Sequence, residues 1–566
     1  MGEAERIMEN SAESGLEARL APRRVWPRVP APHQVEFARQ SLWPVETIAD
    51  RAATLALARP DDPCLIDEAG TVSFAALWAD AQALAAALRA RGLLPGEVVA
   101  FQLPNWREAA VLNLACALAG LVVNPIVPIY RDAELRVMLG DCGARALFVP
   151  TLFRKVDYAA MAARVRADLP ALAHVFTVRG EGPDDFAALV AAGRALPDAR
   201  VAVDPMGVKM VLYTSGTTGR PKGVLHSHAT LGRVIGQSAA FWGLQAGDTM
   251  LMPSPVTHVS GYANGLEMPL VVGTCTVLME SWQAQAALAL IPQHHVVGTV
   301  AATPFLVELA AAARAAGETL PSLRFFACGG AAVAPEVIHQ ARGAFARCAP
   351  FRVFGSSEVP LVSFGWPDNQ ARAAQTDGRI VDYAVRIVDE AGNDLPDGAE
   401  GEILARGPAM MIGYADAAET AAAIDAQGFF RTGDLGVRDA DGAITVTGRK
   451  KDLIIRGGEN ISATEIEQVL ATHPAVADCA VVAMPHARLG EGVCAFVVAR
   501  AAVKTSELAA HVAASGLARQ KIPERFEMVE ALPRTAAGKI RKDQLRAQIA
   551  AIIQAEQDQP QDRQQD

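Results

Sequence analysis

VKMVLYTSGTTGRPKG, residues 208–223, is the stretch on which the reading of the chain turns. Val208–Tyr213 is an apolar run of strand length, and the residues after it cannot continue a strand. Gly216, Gly219 and Gly223 permit backbone turns that other residues resist. Thr214, Ser215, Thr217 and Thr218 supply hydroxyls, and Lys222 supplies a cation. A strand that opens into successive backbone N–H groups, hydroxyls and a lysine makes a phosphate cradle. The GxxxxGK[ST] spacing of a Walker loop is absent. A flexible polar surface loop shares this composition, and composition alone leaves both readings open.

Outward from this loop, short apolar runs alternate with helical stretches. VVAFQLPN (98–105), ALFVP (146–150) and HVFTV (174–178) read as buried strands. RAATLALARP and FAALWADAQALAAALRARG read as amphipathic helices. Such alternation predicts an α/β fold with a largely parallel sheet. The pattern resumes after Val211 and runs to about Val362. LACALAGLVV, residues 114–123, is too short to span a bilayer and is expected to be a buried core helix.

From Tyr383 the texture changes. VRIVDEAGNDLPDGAEGEILARG and GVRDADGAITVTGRKKDLIIRGG suggest short strands joined by Gly/Asp turns such as Asp441-Gly442. A β-rich subdomain is expected there. Ser462-Ala-Thr-Glu465 is a capping-box match opening a helix, and VADCAVVAMP and GVCAFVVA come after it as strands. These imply a small C-terminal α+β domain. The expected organisation is a polar, Pro-rich arm over 1–40, a large parallel-rich region over 41–448, the small domain over 452–545 and a polar tail over 546–566.

At 566 residues the chain exceeds one compact core, and 51% hydrophobic against 20% charged residues excludes a disordered protein. The net charge of −10 argues against nucleic acid as a partner. The eight cysteines lack any CxxC pair, which disfavours zinc and a disulfide framework and favours buried free thiols. The first twenty residues lack the basic and apolar regions of a signal peptide. A cytoplasmic protein without a membrane span is expected. His226 and His228 form an HxH pair with no third ligand in view, so a metal site is not expected there.

YTSGTTGRPKG resembles the signature of the adenylate-forming superfamily, which includes acyl-CoA synthetases, aryl-CoA ligases, peptide-synthetase adenylation domains and luciferases. Five further segments resemble that family's motifs in the family's order. They are Gly329-Gly-Ala-Ala332, Phe354-Gly-Ser-Ser-Glu358, Arg431-Thr-Gly-Asp434, the hinge segment Gly448–Asn460 and Pro533-Arg-Thr-Ala-Ala-Gly-Lys539. The resemblance covers about residues 45 to 545. It implies an ATP-dependent acid–CoA ligase: a carboxylate attacks the α-phosphorus of ATP, pyrophosphate leaves, and the acyl group passes from AMP to coenzyme A.

The resemblance also implies roles. ATP and AMP would meet Thr214, Ser215, Gly216, Thr217, Thr218, Gly219, Lys222, Gly329, Gly330, Ala331, Phe354, Gly355, Ser356, Ser357, Glu358, Asp434, Arg449 and Lys539. Mg²⁺ would be held by Glu358 and Thr218. Phe354 keeps an aromatic face for adenine where the family has Tyr, and Ser357 keeps the hydroxyl of the family's Thr. Asp434 would accept from both ribose hydroxyls, and Lys539 would stabilise charge in the first step. Residues 449–451 would be the hinge of a mobile C-terminal domain, with Lys451 at the pivot and Gly457 and Gly458 near the CoA arm. His258, Val259, Gly261 and Tyr262 would line the acyl pocket, His258 gating and orienting. Amino-acid-activating relatives place an aspartate at the Val259 position, so an α-amino acid is disfavoured.

Within the family the chain looks most like ligases of medium-chain or alicyclic acids such as cyclohexanecarboxylate. Two other readings stay open: an adenylating enzyme that loads a carrier protein, and a non-catalytic acyl- or nucleotide-binding relic. No carrier segment is expected after Lys539, and Glu358, Asp434 and Lys539 are all intact.

Overall fold

The computed structural model describes residues 26–27, 36–37, 40–214, 221–330, 333–456, 459–535 and 538–558. The chain divides into two compact units, one of residues 1–281 with 408–422, the other of 282–407 with 423–566.

In the first unit, strands Val98–Phe101, Val122–Pro125, Ala144–Pro150, His174–Val178 and Val208–Thr214 run parallel. Their near-continuous apolar runs suit a sheet covered on both faces. Lys222–Ser227 returns antiparallel beside Val208–Thr214, so the glycine-rich segment joins two neighbouring strands. A second set, Thr249–Met252, Cys275–Leu278 and Pro63–Asp67, is also parallel. The predicted core helix over 114–123 is corrected. The helix Arg107–Ala119 stops at Gly120, which is left-handed at φ 68°, and Val122–Pro125 is a strand. A Cβ on Gly120 would meet Val201 Cγ2 at 2.9 Å, so this stop needs glycine twice over. Two residues of the N-terminal arm are docked: Trp26 Nε1 donates to the Gly96 carbonyl, and Phe37 packs edge-on against Trp43.

In the second unit, Val296–Ala301, Phe325–Gly329 and Ala349–Val353 are parallel. Ala384–Val388, Glu400–Arg406, Phe430–Arg438 and Ile444–Arg449 form the expected antiparallel subdomain, with Gly442 at φ 74° in the Asp441-Gly442 turn. A separate five-stranded sheet contains Leu453–Arg456, Glu459–Ser462, Val476–His486, Gly490–Ala499 and Arg525–Met528. Ser462 caps the helix Ala463–Ala471 by accepting the Glu465 N–H. The α/β class, the β-rich subdomain and the C-terminal α+β domain thus match expectation. Residues on both sides of 449–451 share the second unit.

Of the polar tail expected over 546–566, the described part up to Asp558 is helical and packed, and 559–566 lie outside the described residues. Lys542–Asp558 is one helix, with Leu545 and Ile549 buried and Ile552 and Ile553 packed beside Val482 and Phe496. Their spacing is an apolar stripe among polar residues, which average composition conceals. All eight cysteines are buried and free, as expected.

One buried fork fixes two elements that reach the site. Arg352 Nε donates to Asp377 Oδ1 at 2.9 Å, and Arg352 Nη1 donates to the Ala374 carbonyl. Asp377 Oδ2 in turn accepts the Val446 N–H at 2.8 Å. Asp377→Ala should cost about 3–5 kcal/mol, because it strands a guanidinium only 3% exposed. Urea denaturation measures this, and a loss below about 1 kcal/mol would contradict it.

Candidate active site

Phe325–Gly329 and Ala349–Val353 are parallel neighbours, with Gly329 opposite Val353. The segments leaving both strands, Gly330 and Phe354–Glu358, therefore emerge side by side at carboxyl ends, where ligands bind in α/β sheets. The close approach demands glycine. A Cβ on Gly329 would sit 2.7 Å from the Val353 carbonyl oxygen, and one on Gly355 would sit 2.4 Å from the Leu361 nitrogen. Phe354 is buried and its N–H donates to Ser363 Oγ. Ser356 Oγ accepts the N–H groups of Glu358 and Val359, holding the turn that carries Ser357 and Glu358.

Asp434 and Arg449 face each other across an antiparallel pair. Arg449 Nε donates to Asp434 Oδ1 at 2.7 Å. Thr432 Oγ1 accepts the Asp434 N–H and donates to the Ile403 carbonyl, fixing that turn. Asp434 is 4% exposed. Burial pushes its carboxyl above the usual range, opposed by the charges of Arg449 and Lys539. The Asp434 carboxylate in turn raises the Arg449 guanidinium.

Lys539 joins this group from the C-terminal end of the chain. Its N–H donates to Thr535 Oγ1, and its carbonyl accepts the Thr535 N–H at 2.7 Å. This small turn, with Gly538 left-handed at φ 81°, presents the side chain. A Cβ on Gly330 would lie 3.4 Å from Lys539 Cε, so the lysine crosses the bare backbone of the glycine pair. Burial lowers the ammonium to about 8, Arg449 and Lys451 adding to the effect and Asp434 and Glu358 opposing it. One ammonium, one guanidinium and two carboxylates thus share a site, with Asp434 buried, Lys539 and Glu358 partly buried and Arg449 reaching solvent. A desolvated cation of this kind suits developing negative charge.

Lys451 lies exposed in the turn Lys450–Asp452, and its neighbour Lys450 donates to Glu402 Oε2 at 3.2 Å. Ser215, Gly216, Thr217, Thr218, Gly219, Ala331, Gly457 and Gly458 lie outside the described residues.

The remaining residues belong to the first unit. Thr214 ends one strand and Lys222 begins the next, directly opposite it. Lys222 Nζ is 3.6 Å from Glu419 Oε1 and 5.1 Å from the Tyr414 ring centroid. His258 precedes the helical turn Val259–Gly261, and its carbonyl accepts the Tyr262 N–H at 2.7 Å. Gly261 is required where it stands, since a Cβ would lie 2.1 Å from the Pro255 carbonyl oxygen. Val259 is partly buried against core residues. Tyr262, expected to line the acyl pocket, is 0% exposed, and its hydroxyl donates to Asn113 inside the core.

Among the described residues no three His, Cys, Asp or Glu side chains are grouped to hold an ion. His226 Nδ1 is 3.2 Å from Thr230 Oγ1, and burial holds the His228 imidazole neutral. Motif matching does not single out Lys209, Glu267 and Asn113, which surround the Tyr262 hydroxyl. The one signal in the sequence is the lysine inside the otherwise apolar VKMVLY.

Comparison with known proteins matches residues 53–415 to the AMP-binding enzyme family and residues 465–539 to its C-terminal domain. A medium-chain fatty-acid–CoA ligase of Escherichia coli is 36% identical over 524 residues, covering 91% of this chain and 92% of that protein. A methyl-dioxo-octahydroindenyl-propanoyl:CoA ligase of Mycobacterium tuberculosis is 36% identical over 503 residues, covering 86% and 96%. The crystal structure of ATP-bound MatB from Rhodopseudomonas palustris superposes with a TM-score of 0.80 at 28% identity, covering 89% of this chain and 99% of that one. No helix among the described residues is long and apolar enough to cross a membrane.

Proposed function

The chain belongs to the AMP-binding enzyme family, among its AMP-forming acyl-CoA ligases, and on that footing we propose that its acid is a medium-chain or alicyclic carboxylate. Supporting this, the two relatives are ligases of a medium-chain fatty acid and of an alicyclic propanoic acid. Val259 offers no counter-charge to an ammonium, and its neighbour Val256 is apolar and buried.

The roles follow from charge. Carboxylate and ATP repel one another, so the first step needs cations and alignment. Lys539 stabilises negative charge where the acid meets the α-phosphorus. Asp434 holds the ribose and Arg449 holds Asp434. Phe354 lies against adenine between its strand and the glycine pair, and Ser357 offers a hydroxyl to phosphate. Lys222 and the segment from Thr214 take the outer phosphates. His258 orients the acyl end. Thioester formation then requires the CoA thiol to reach the carbonyl where Lys539 stood, and a turn about Lys451 opens that side.

Glu358 fits Mg²⁺. It is a hard oxygen donor beside cations that polyphosphate would engage, and Mg²⁺ commonly takes only one or two carboxylates besides substrate phosphates. Thr218 would be its partner ligand. The ion would supply charge neutralisation on the phosphates.

The observation that carries the reading is the meeting of Lys539, Asp434, Arg449 and Glu358 at one site. CoA-dependent AMP release, measured with cyclohexanecarboxylate, octanoate, benzoate and phenylalanine, tests it. Octanoate or cyclohexanecarboxylate should lead, with shallow discrimination between them, since one methylene is worth only about 1–3 kcal/mol. Phenylalanine should be rejected sharply, because its buried ammonium would have no partner. A preference for phenylalanine would overturn the pocket reading. Acyl-AMP formation with no consumption of free CoA would point to a carrier-loading enzyme.

A further inference from the structure

The first unit buries a lysine and a glutamate in its core that the roles above leave unused. Lys209 is 2% exposed, and Glu267, Tyr262 and Asn113 are each 0% exposed. Lys209 Nζ pairs with Glu267 Oε1, donates to the Tyr262 hydroxyl at 2.6 Å and donates to Asn113 Oδ1 at 3.0 Å. The Tyr262 hydroxyl donates to Asn113 Oδ1, and Asn113 Nδ2 donates to Glu267 Oε1 at 3.3 Å.

These groups come from three elements. Lys209 stands on Val208–Thr214, the strand whose last residue opens the glycine-rich segment. Asn113 stands on the helix Arg107–Ala119. Tyr262 and Glu267 are the two ends of a π-helical stretch that begins four residues after His258. On an α-helix a five-residue spacing would turn the two side chains about 140° apart. The i→i+5 repeat of a π-turn lets both reach one ammonium, and such turns are frequent at functional sites.

Stability alone is a poor account of the cluster. Removing two charges from water costs several kcal/mol per ion, and apolar residues of similar volume often hold a core as well or better. Glu267 Oε2 is buried without a hydrogen-bond partner, an added cost that a purely stabilising pair would not carry. The pair does provide direction. It joins the strand that leads to Thr214 to the helical segment after His258, at one fixed register.

We infer that the Lys209–Glu267 pair is a positioning device that aligns the acyl-side helix with the phosphate-loop strand for acid activation. This rests on the ligase reading above. Adenylation brings two separate reactants within about 3–3.5 Å, and a misplacement near 1 Å can cost about 100-fold. Thioester formation from acyl-AMP starts with those two parts already bonded, so it needs this alignment far less. Lys209 and Glu267 touch neither reactant; they act through the elements that do.

The test compares the two half-reactions in the full-length protein, after wild-type activity on the acid has been established, which keeps a failure of the ligase reading distinct. Three variants are used: Glu267→Gln, Tyr262→Phe and the double variant Lys209→Met/Glu267→Leu. The double variant replaces the pair by apolar side chains and should keep its melting temperature. Acid-dependent pyrophosphate release should fall about 100-fold in it and about 10-fold in Glu267→Gln. Thioester formation from supplied acyl-AMP should stay within about threefold of wild type, because the acyl and phosphate parts are then one covalent molecule and the approach of the CoA thiol does not depend on aligning the two. Tyr262→Phe removes one hydroxyl and should show a smaller loss in the same half-reaction only. Equal losses in both half-reactions, no loss in either, or failure of all three variants to fold would overturn the assignment.

Discussion

Lys539→Ala should reduce acyl-adenylate formation by about 100-fold to 1000-fold, the usual loss when one preorganised charged donor is removed from a transition state. Thioester formation from supplied acyl-AMP should be largely spared, since the lysine's proposed work ends when pyrophosphate leaves. Pyrophosphate release and CoA consumption, measured separately, decide the matter. Equal losses in the two half-reactions would refute the role. A pH profile gives a second check. Burial and the neighbouring Arg449 lower the ammonium to about 8. The protonated form is the active one, so activity is retained below this value and lost as pH rises through it. The kcat/KM for ATP should therefore be level below about pH 7 and fall above about pH 8, that ratio reporting the free enzyme. The kcat profile should break at higher pH, because bound polyphosphate favours the charged lysine. A level kcat/KM profile to pH 10 would contradict the placement.

Asp434→Asn should raise the KM for ATP and the Kd for AMP by about 10-fold to 100-fold, since Asn keeps one acceptor oxygen but loses the other with the charge, and a hydrogen bond to a charged group contributes about 1.5–3 kcal/mol. The exchange preserves volume, and Arg449 keeps part of its exposure, so the fold should tolerate it. Arg449→Met should do the reverse damage. It leaves a carboxylate that is 4% exposed without its cation, which costs stability as well as affinity. Calorimetric titration with AMP, beside thermal unfolding of both variants, separates the two effects. An unchanged AMP affinity in Asp434→Asn would remove Asp434 from the ribose site.

The class of fold, the subdomain texture and the list of site segments are legible in the sequence alone. Apolar runs such as Val98–Phe101 and Val208–Tyr213 announce parallel strands, because a strand covered on both faces has no polar side to show. The Asp441-Gly442 turn and the Ser462 cap are legible because each rests on the conformational preference of one or two residues. Boundaries that depend on packing are not. Leu121–Val123 belongs to a turn and strand because Gly120 is held against Val201, a contact 81 positions along the chain. The helix Lys542–Asp558 is hidden by its polar composition, and only the sheet that covers Leu545 and Ile549 makes its stripe a core. The motifs name Asp434, Arg449, Glu358 and Lys539 singly, but their meeting is a tertiary fact, and so is the lowered ammonium, since desolvation exists only once the neighbours have assembled. Lys209 states the difference most directly. In sequence it is one lysine in an apolar run. Folding buries it among Glu267, Tyr262 and Asn113, and low dielectric then makes its position exacting.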